Sequence, residues 1–192
     1  VDFQNPHPIE PLLDLVWHHG VCRPVYRRYA RGLGLRGDEQ VLEVGSGSGA
    51  LTRHLAERLL RGGGRVTCVD TSKPWSDVAR RRLHVYPNVT FKVGELAGAG
   101  LAEGTFDAVV MHFMLHEVKP DKRQSLVSAA ARALRVGGRF FIKEPTREKH
   151  GMPVGEIRRL MTNSRLTELS FVEVKPFLGE PLAAGVFEKP SR

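Results

Sequence analysis

The run Glu43-Val44-Gly45-Ser46-Gly47-Ser48-Gly49 holds the densest chemistry in the chain. Glycines at alternate positions let a backbone turn sharply and approach a ligand closely. The apolar run before them, Gln40–Val44, predicts a strand. The leucines after them, Leu51, Leu55 and Leu59, predict an amphipathic helix from Ala50. A helix N-terminus offers free amide N–H groups and partial positive charge, so the loop suits a pyrophosphate or an amino-acid carboxylate. Gly45-x-Gly47-x-x-Ala50 also satisfies the permissive dinucleotide pattern, so glycine spacing leaves both ligands open.

Three carboxylates tip the balance. Glu43 stands at the strand end, where it opposes a pyrophosphate and suits an ammonium. Asp70 ends the next apolar run, where a carboxylate accepts hydrogen bonds from ribose hydroxyls. Glu95 follows a third run and offers an acceptor to an adenine amino group. Carboxylates at successive strand ends match a ligand with hydroxyls, an amine and a positive charge. His112 and His116 follow a fourth run, Phe106–Met111, and either has the right pKa range for a general base. Asp107 opens that run at the end away from such chemistry and reads as structural.

These residues need a frame to hold them. Helices are expected at 9–17 and 22–33, broken by Gly20 and Pro24, then at 50–60, 74–83, 121–134 and 154–162. Thr71 or Ser72 caps the fourth of these, and Gly137-Gly138 stops the fifth. Strands are expected at 40–44, 65–69, 88–93, 106–111, 139–143, 171–176 and 185–189. Strand–helix alternation implies a parallel sheet covered on both faces, and the last two strands form an antiparallel pair. The fold class is α/β, a three-layer α/β/α sandwich with a seven-stranded, mostly parallel sheet. A single domain over 1–192 fits the length, with 1–33 as a helical cap and 34–192 as the core.

In this order the motifs resemble those of the class I, Rossmann-like, S-adenosylmethionine (SAM) dependent methyltransferases. Val41-Leu42-Glu43-Val44-Gly45-Ser46-Gly47-Ser48-Gly49 is similar to their first motif and Cys68-Val69-Asp70-Thr71-Ser72 to their second. Val93-Gly94-Glu95 is similar to the third, where many members have Gly-Asp. Phe106–Val110 with His116-Glu117-Val118 is similar to the fourth. Leu134–Arg139 is similar to the fifth, with Val136 where proline is common. The ubiquinone/menaquinone and general small-molecule methyltransferases are the nearest subgroup. The resemblance implies SAM as cofactor and S-adenosylhomocysteine as product. It implies cofactor contacts from Glu43, Gly45, Ser46, Gly47, Gly49, Asp70, Thr71, Ser72, Glu95, Leu96 and His112. His116 and His112 are the candidate catalytic groups. No Asn-Pro-Pro-Tyr-like motif follows the fourth strand, which argues against amino methylation of nucleobases and glutamine.

The acceptor is less legible. The net charge of +8 favours an anionic partner: a membrane surface, nucleic acid or an acidic substrate. In the cap, Arg23, Arg27, Arg28 and Arg31 accompany Trp17, His18, His19, Tyr26 and Tyr29, and the helix is expected either as a lid or as a support. Leu12, Leu13, Leu15 and Val16 would pack on the sheet in the second case. Arg80-Arg81-Arg82 reads as a solvated face. The segment Glu144–Pro153 is short and charged and implies an open site. A small-molecule or lipid-like acceptor is expected, methylated on O, N or C. An RNA or protein methyltransferase and a non-catalytic SAM-fold protein are the alternatives. The two cysteines, Cys22 and Cys68, suggest neither metal nor disulfide, and no run spans a bilayer. A cytoplasmic location, with peripheral contact to an anionic membrane, is expected.

Overall fold

The computed structural model describes residues 10–147, 151–174 and 181–191. Its strands are β1 (Gln40–Val44), β2 (Arg65–Asp70), β3 (Val89–Val93), β4 (Phe106–His112), β5 (Leu134–Pro145), β6 (Thr167–Val174) and β7 (Leu182–Glu188). Its helices are α1 (Glu10–Asp14), α2 (Arg23–Gly32), α3 (Ala50–Leu59), α4 (Lys73–Arg82), α5 (Pro120–Ala133) and α6 (Val154–Asn163). The strands form one seven-stranded sheet in the order β3-β2-β1-β4-β5-β7-β6, which is the expected Rossmann-like α/β class. The chain divides into two compact units, Val1–Ala99 and Gly100–Arg192.

In the first unit β1, β2 and β3 pair in parallel. Leu51, Leu55 and Leu59 bury the inner stripe of α3, and Val41, Leu42 and Val66 are fully buried in the strands. Each such side chain contributes about 1.5–3 kcal/mol of burial. Helix α4 starts where Ser72 caps it: its Oγ accepts from the Trp75 amide at 3.5 Å, and Pro74 sits in the first turn. Arg82 is not part of a solvated face, because it pairs with Asp14 at 3.1 Å.

In the second unit β4 pairs in parallel with β5, and β7 runs antiparallel to both β5 and β6. The apolar run of β4 is buried along almost its whole length, as a strand covered on both faces requires.

Several boundaries differ from expectation. Gly20 does not break the cap; the chain continues as a π-helical segment, Leu15–Val21, into α2. Gly137-Gly138 does not end α5. The helix stops at Ala133 and β5 begins at once, bulging between its pairings Phe106↔Leu134 and Ala108↔Arg139. The glycines lie in that bulge. Strand β5 also runs on to Pro145, because Lys143, Glu144 and Pro145 find partners in β7. Glu144 therefore belongs to the sheet and not to the following loop. Strand β6 begins four residues early, at an exposed edge where apolar pattern gives little signal. Of the expected strand over 171–176, positions 175 and 176 lie outside the described residues.

Candidate functional site

The glycine loop in the first unit is built from left-handed backbone. Gly45, Gly47 and Gly49 have φ of 73°, 50° and 82°. A Cβ on Gly49 would stand 2.7 Å from Leu83 Cδ1, so that position is closed by packing. A Cβ on Gly47 would meet nothing within 4 Å, so the loop faces open space there. Asp70 holds this shape. Its Oδ2 accepts from the Gly47 amide and its Oδ1 from the Ser72 amide, each at 2.8 Å. Burial raises the Asp70 pKa, against those two amides. Ser46 Oγ is buried and makes no hydrogen bond of normal length among the described residues; the nearby Cys68 thiol is a weak partner. A buried hydroxyl left unpaired costs about 1–3 kcal/mol, so Ser46 fits a polar ligand at this loop.

Glu43 lies beneath the loop, 2% exposed. Its Oε2 accepts from Thr52 Oγ1 at 2.7 Å and lies 3.7 Å from Cys68 Sγ. Burial pushes its pKa up to about 7; the Thr52 and Cys68 hydrogen bonds oppose this and the Asp70 charge adds to it. A carboxyl so placed gains a charge most readily when a cation arrives beside it. Thr52 and Cys68 were not foreseen as its partners. The available signal was their place: Thr52 faces inward one turn into α3, and Cys68 pairs with Glu43 across β1 and β2.

The cap is fastened to this loop. His19 Nε2 lies 3.0 Å from Ser48 Oγ, and His18 Nδ1 lies 2.8 Å from the Tyr26 hydroxyl. Burial lowers the His19 pKa to about 4, helped by the Arg82 charge and opposed by Asp14. The ring is therefore neutral near pH 7. Leu13 and Val16 do not pack on the sheet; they are 58% and 60% exposed. The Leu12 and Leu15 side chains lie outside the description. Of the other expected contacts, Leu96 and Ser72 are buried while Thr71 and Glu95 are exposed. Glu95 stands just before a short turn, Leu96–Gly98.

The second unit carries both histidines. His112 ends β4, buried, its ring centroid 4.2 Å from that of Phe113. Phe113 has a φ of 54°, rare for a bulky residue and a local strain of the kind found at functional sites. Lys143 Nζ lies 5.3 Å from the Phe113 ring. His116 sits on the turn Leu115–Glu117, with Nδ1 2.6 Å from Glu144 Oε2 and Nε2 3.1 Å from Glu117 Oε1. Glu144 is fully buried and also accepts from the Met114 and Leu115 amides. It was expected only as part of a charged loop; the strand pairing that carries it inward leaves no mark in local sequence. Asp107 pairs with Arg135 at 2.6 Å, in keeping with a structural role. Lys149 and His150, in the charged segment Glu144–Pro153, lie outside the described residues. Among the described residues no group of His, Cys, Asp and Glu is placed to hold a metal, and no helix is long and apolar enough to cross a membrane.

Residues 41–138, just over half of the chain, match the methyltransferase domain family. The chain is 34% identical over 135 residues to a demethylmenaquinone methyltransferase of Tropheryma whipplei, covering 69% of this chain and 49% of that protein. It is 31% identical over 111 residues to a protein-L-isoaspartate O-methyltransferase of Dictyoglomus thermophilum, covering 57% and 49%. The chain thus spans about half the length of these curated relatives. Its fold is similar to that of a TehB-like SAM-dependent methyltransferase of Corynebacterium glutamicum, with a TM-score of 0.73, 21% identity, and coverage of 95% of this chain and all of the other. These matches imply SAM as the cofactor, and the chain belongs to the methyltransferase domain family.

Proposed function

We propose that this chain transfers a methyl group from SAM to a small, lipid-like, hydroxyl-bearing acceptor of the demethylmenaquinone kind. The carrying observation is the glycine loop: left-handed at Gly45, Gly47 and Gly49, tied to Asp70, with a buried hydroxyl at Ser46 that meets only the weak Cys68 thiol among the described residues. The 34% identity to a demethylmenaquinone methyltransferase supports the acceptor class.

When bound, SAM supplies a methyl group already activated by its cationic sulfur. The protein's work is then placement, exclusion of water and acceptance of the acceptor's proton. Glu43, Gly45, Ser46, Gly47 and Gly49 receive the amino-acid part. Asp70 with Thr71 and Ser72 receives the ribose, and Glu95 and Leu96 the adenine. His112 lines the methyl-donor side, and His116 takes the proton. The cap tied through His19 covers the loop. The exposed groove of Arg23, Pro24, Arg27, Arg28 and Arg31 on α2 meets an anionic membrane that delivers the acceptor.

Calorimetry with SAM and S-adenosylhomocysteine tests the cofactor; binding of NAD in their place would refute it. Radiolabelled methyl transfer to reduced demethylmenaquinone tests the acceptor. Cosedimentation with vesicles containing anionic lipid tests the membrane contact, and an affinity equal for neutral vesicles would remove it. A protein substrate is the second reading, favoured by the isoaspartate methyltransferase match. Transfer to an isoaspartyl peptide in preference to the quinol would establish it.

A further inference from the structure

We propose that Glu144 positions His116 to take the proton of a hydroxyl-bearing acceptor on its other ring nitrogen, Nε2, and that Glu117 closes Nε2 until that acceptor displaces it. The proposal rests on the methyl-transfer reading above and names the chemical class of acceptor it favours: one whose nucleophile appears on losing a proton.

Every hydrogen bond around Glu144 points the same way. Its side chain has no exposure. Oε1 is held by the Met114 amide at 3.1 Å and the Leu115 amide at 2.8 Å. That leaves Oε2 for His116 Nδ1 at 2.6 Å. A carboxylate only accepts, so Nδ1 must donate, and the neutral ring carries its proton there with its lone pair on Nε2. The His116 side chain is 15% exposed. Its Nε2 faces Glu117, a half-exposed side chain from the same turn.

Three charged groups face this ring from the elements around it: Glu144 of β5, Glu117 of its own turn, and Arg123 of α5. The Arg123 guanidinium binds the His116 carbonyl at 2.9 Å and is itself held by Glu156 of α6 at 2.9 Å. Burial pulls the His116 pKa down, but the two carboxylates outweigh burial and Arg123, and it ends above the ordinary histidine value. The imidazolium donates to both carboxylates. Once the ring is neutral, its Nε2 lone pair and the Glu117 oxygen repel, and the half-exposed Glu117 turns outward.

The acceptor hydroxyl then gives its proton to Nε2. The electron pair this leaves on oxygen is delocalised into the acceptor's ring, and the unsubstituted ring carbon beside it forms the bond to the methyl carbon. The carbon–sulfur bond breaks with its pair on sulfur, the methylated ring carbon then loses its hydrogen as a proton to solvent, and the imidazolium beside Glu144 returns its proton to the oxygen. A cluster that only pinned the Phe113–Glu117 turn to β5 would leave turnover indifferent to the protonation of His116.

The test combines two readouts on the full chain. Nitrogen NMR of histidine-labelled protein should show neutral His116 protonated on Nδ1, with a pKa that falls in Glu144→Gln and in Glu117→Ala. Turnover of reduced demethylmenaquinone against pH should rise along an acidic limb set by His116. That limb should move to lower pH in both variants. Glu144→Gln should lower kcat about 100-fold with little change in KM, Glu117→Ala should lower KM, and His116→Gln should remove the limb. Neutral His116 protonated on Nε2 would overturn the proposal whatever the acceptor. So would a limb that stays in place in both variants. Loss of SAM binding by the wild-type chain would instead count against the methyl-transfer reading, and the NMR result would still decide the dyad.

Discussion

Two buried glutamates, one in each unit, show how differently the same side chain is used. Glu43 stands against a hydroxyl and a thiol, and burial weakens its acidity until its pKa reaches about 7. Glu144 stands against two backbone amides and an imidazole. The two side chains are almost equally buried, so what separates them is the number and kind of donors that reach each one. The first is suited to a cation that comes and goes. The second is suited to holding one permanent partner in place.

The same change, carboxyl to amide, should have opposite effects at the two sites. In Glu144→Gln the amide NH₂ must face a backbone N–H or His116 Nδ1–H, which costs about 1–3 kcal/mol. His116 has a raised folded pKa, so its pairing stabilises fully below the unfolded value of 6.5 and fades as pH rises through the folded value. Chemical denaturation should therefore find a larger loss at pH 5 than at pH 9. Glu43 works the other way. Between pH 4.5 and about 7 the folded chain keeps a proton that the unfolded chain has lost, so stability falls as pH rises through that window. Glu43→Gln should remove this penalty, gaining up to about 3 kcal/mol at pH 8 and little at pH 4. The same variant should bind SAM at least tenfold more weakly, since an ion pair with the ammonium is lost. Wild-type SAM binding near pH 6.5 should release protons, seen as a heat that depends on the buffer's own ionisation.

A third test asks whether the loop above Glu43 is held by packing. Gly49→Ala should cost about 2–4 kcal/mol, from a left-handed φ of 82° and a contact 2.7 Å from Leu83. Gly47→Ala has the positive φ but no contact within 4 Å, so it should cost about 1–2 kcal/mol. The smallest effect belongs to the cap. His19→Ala removes its contact with Ser48, worth about 1 kcal/mol. In the wild type this contact should weaken as pH falls from 6.5 towards 4, where the folded ring at last takes a proton. Smaller protection factors over 15–21 in acid, with the intrinsic pH dependence of amide exchange divided out, would show it; equal protection factors at pH 5 and pH 7.5 would not agree with a fastened lid.

Much of the first unit was legible in sequence because its signals are local. Glycines at alternate positions demand a special backbone, apolar runs mark strands, and Asp70 lies at a strand end whose position the pattern reveals. The second unit was harder. Residue Glu144 reads as the start of a charged loop, and only β5 pairing with β7 turns it inward. The exposed edge strand β6 lacks alternation and so gave a late start. In the cap, leucine and valine spacing suggested a packed face, yet Leu13 and Val16 are exposed, because periodicity reports a stripe and not what lies against it.

By itself the sequence determined the fold class, the order of the motifs and the residue types around the cofactor loop, since these depend on neighbours within a few positions. Tertiary structure alone decided which groups those residues meet. Thr52 and Cys68 reach Glu43, His19 reaches Ser48, and Glu144 reaches His116 across 28 positions of chain. Hydrogen bonds act over about 3 Å whatever the separation in sequence, so a side chain's charge state and role are set by the fold that brings its partners to it.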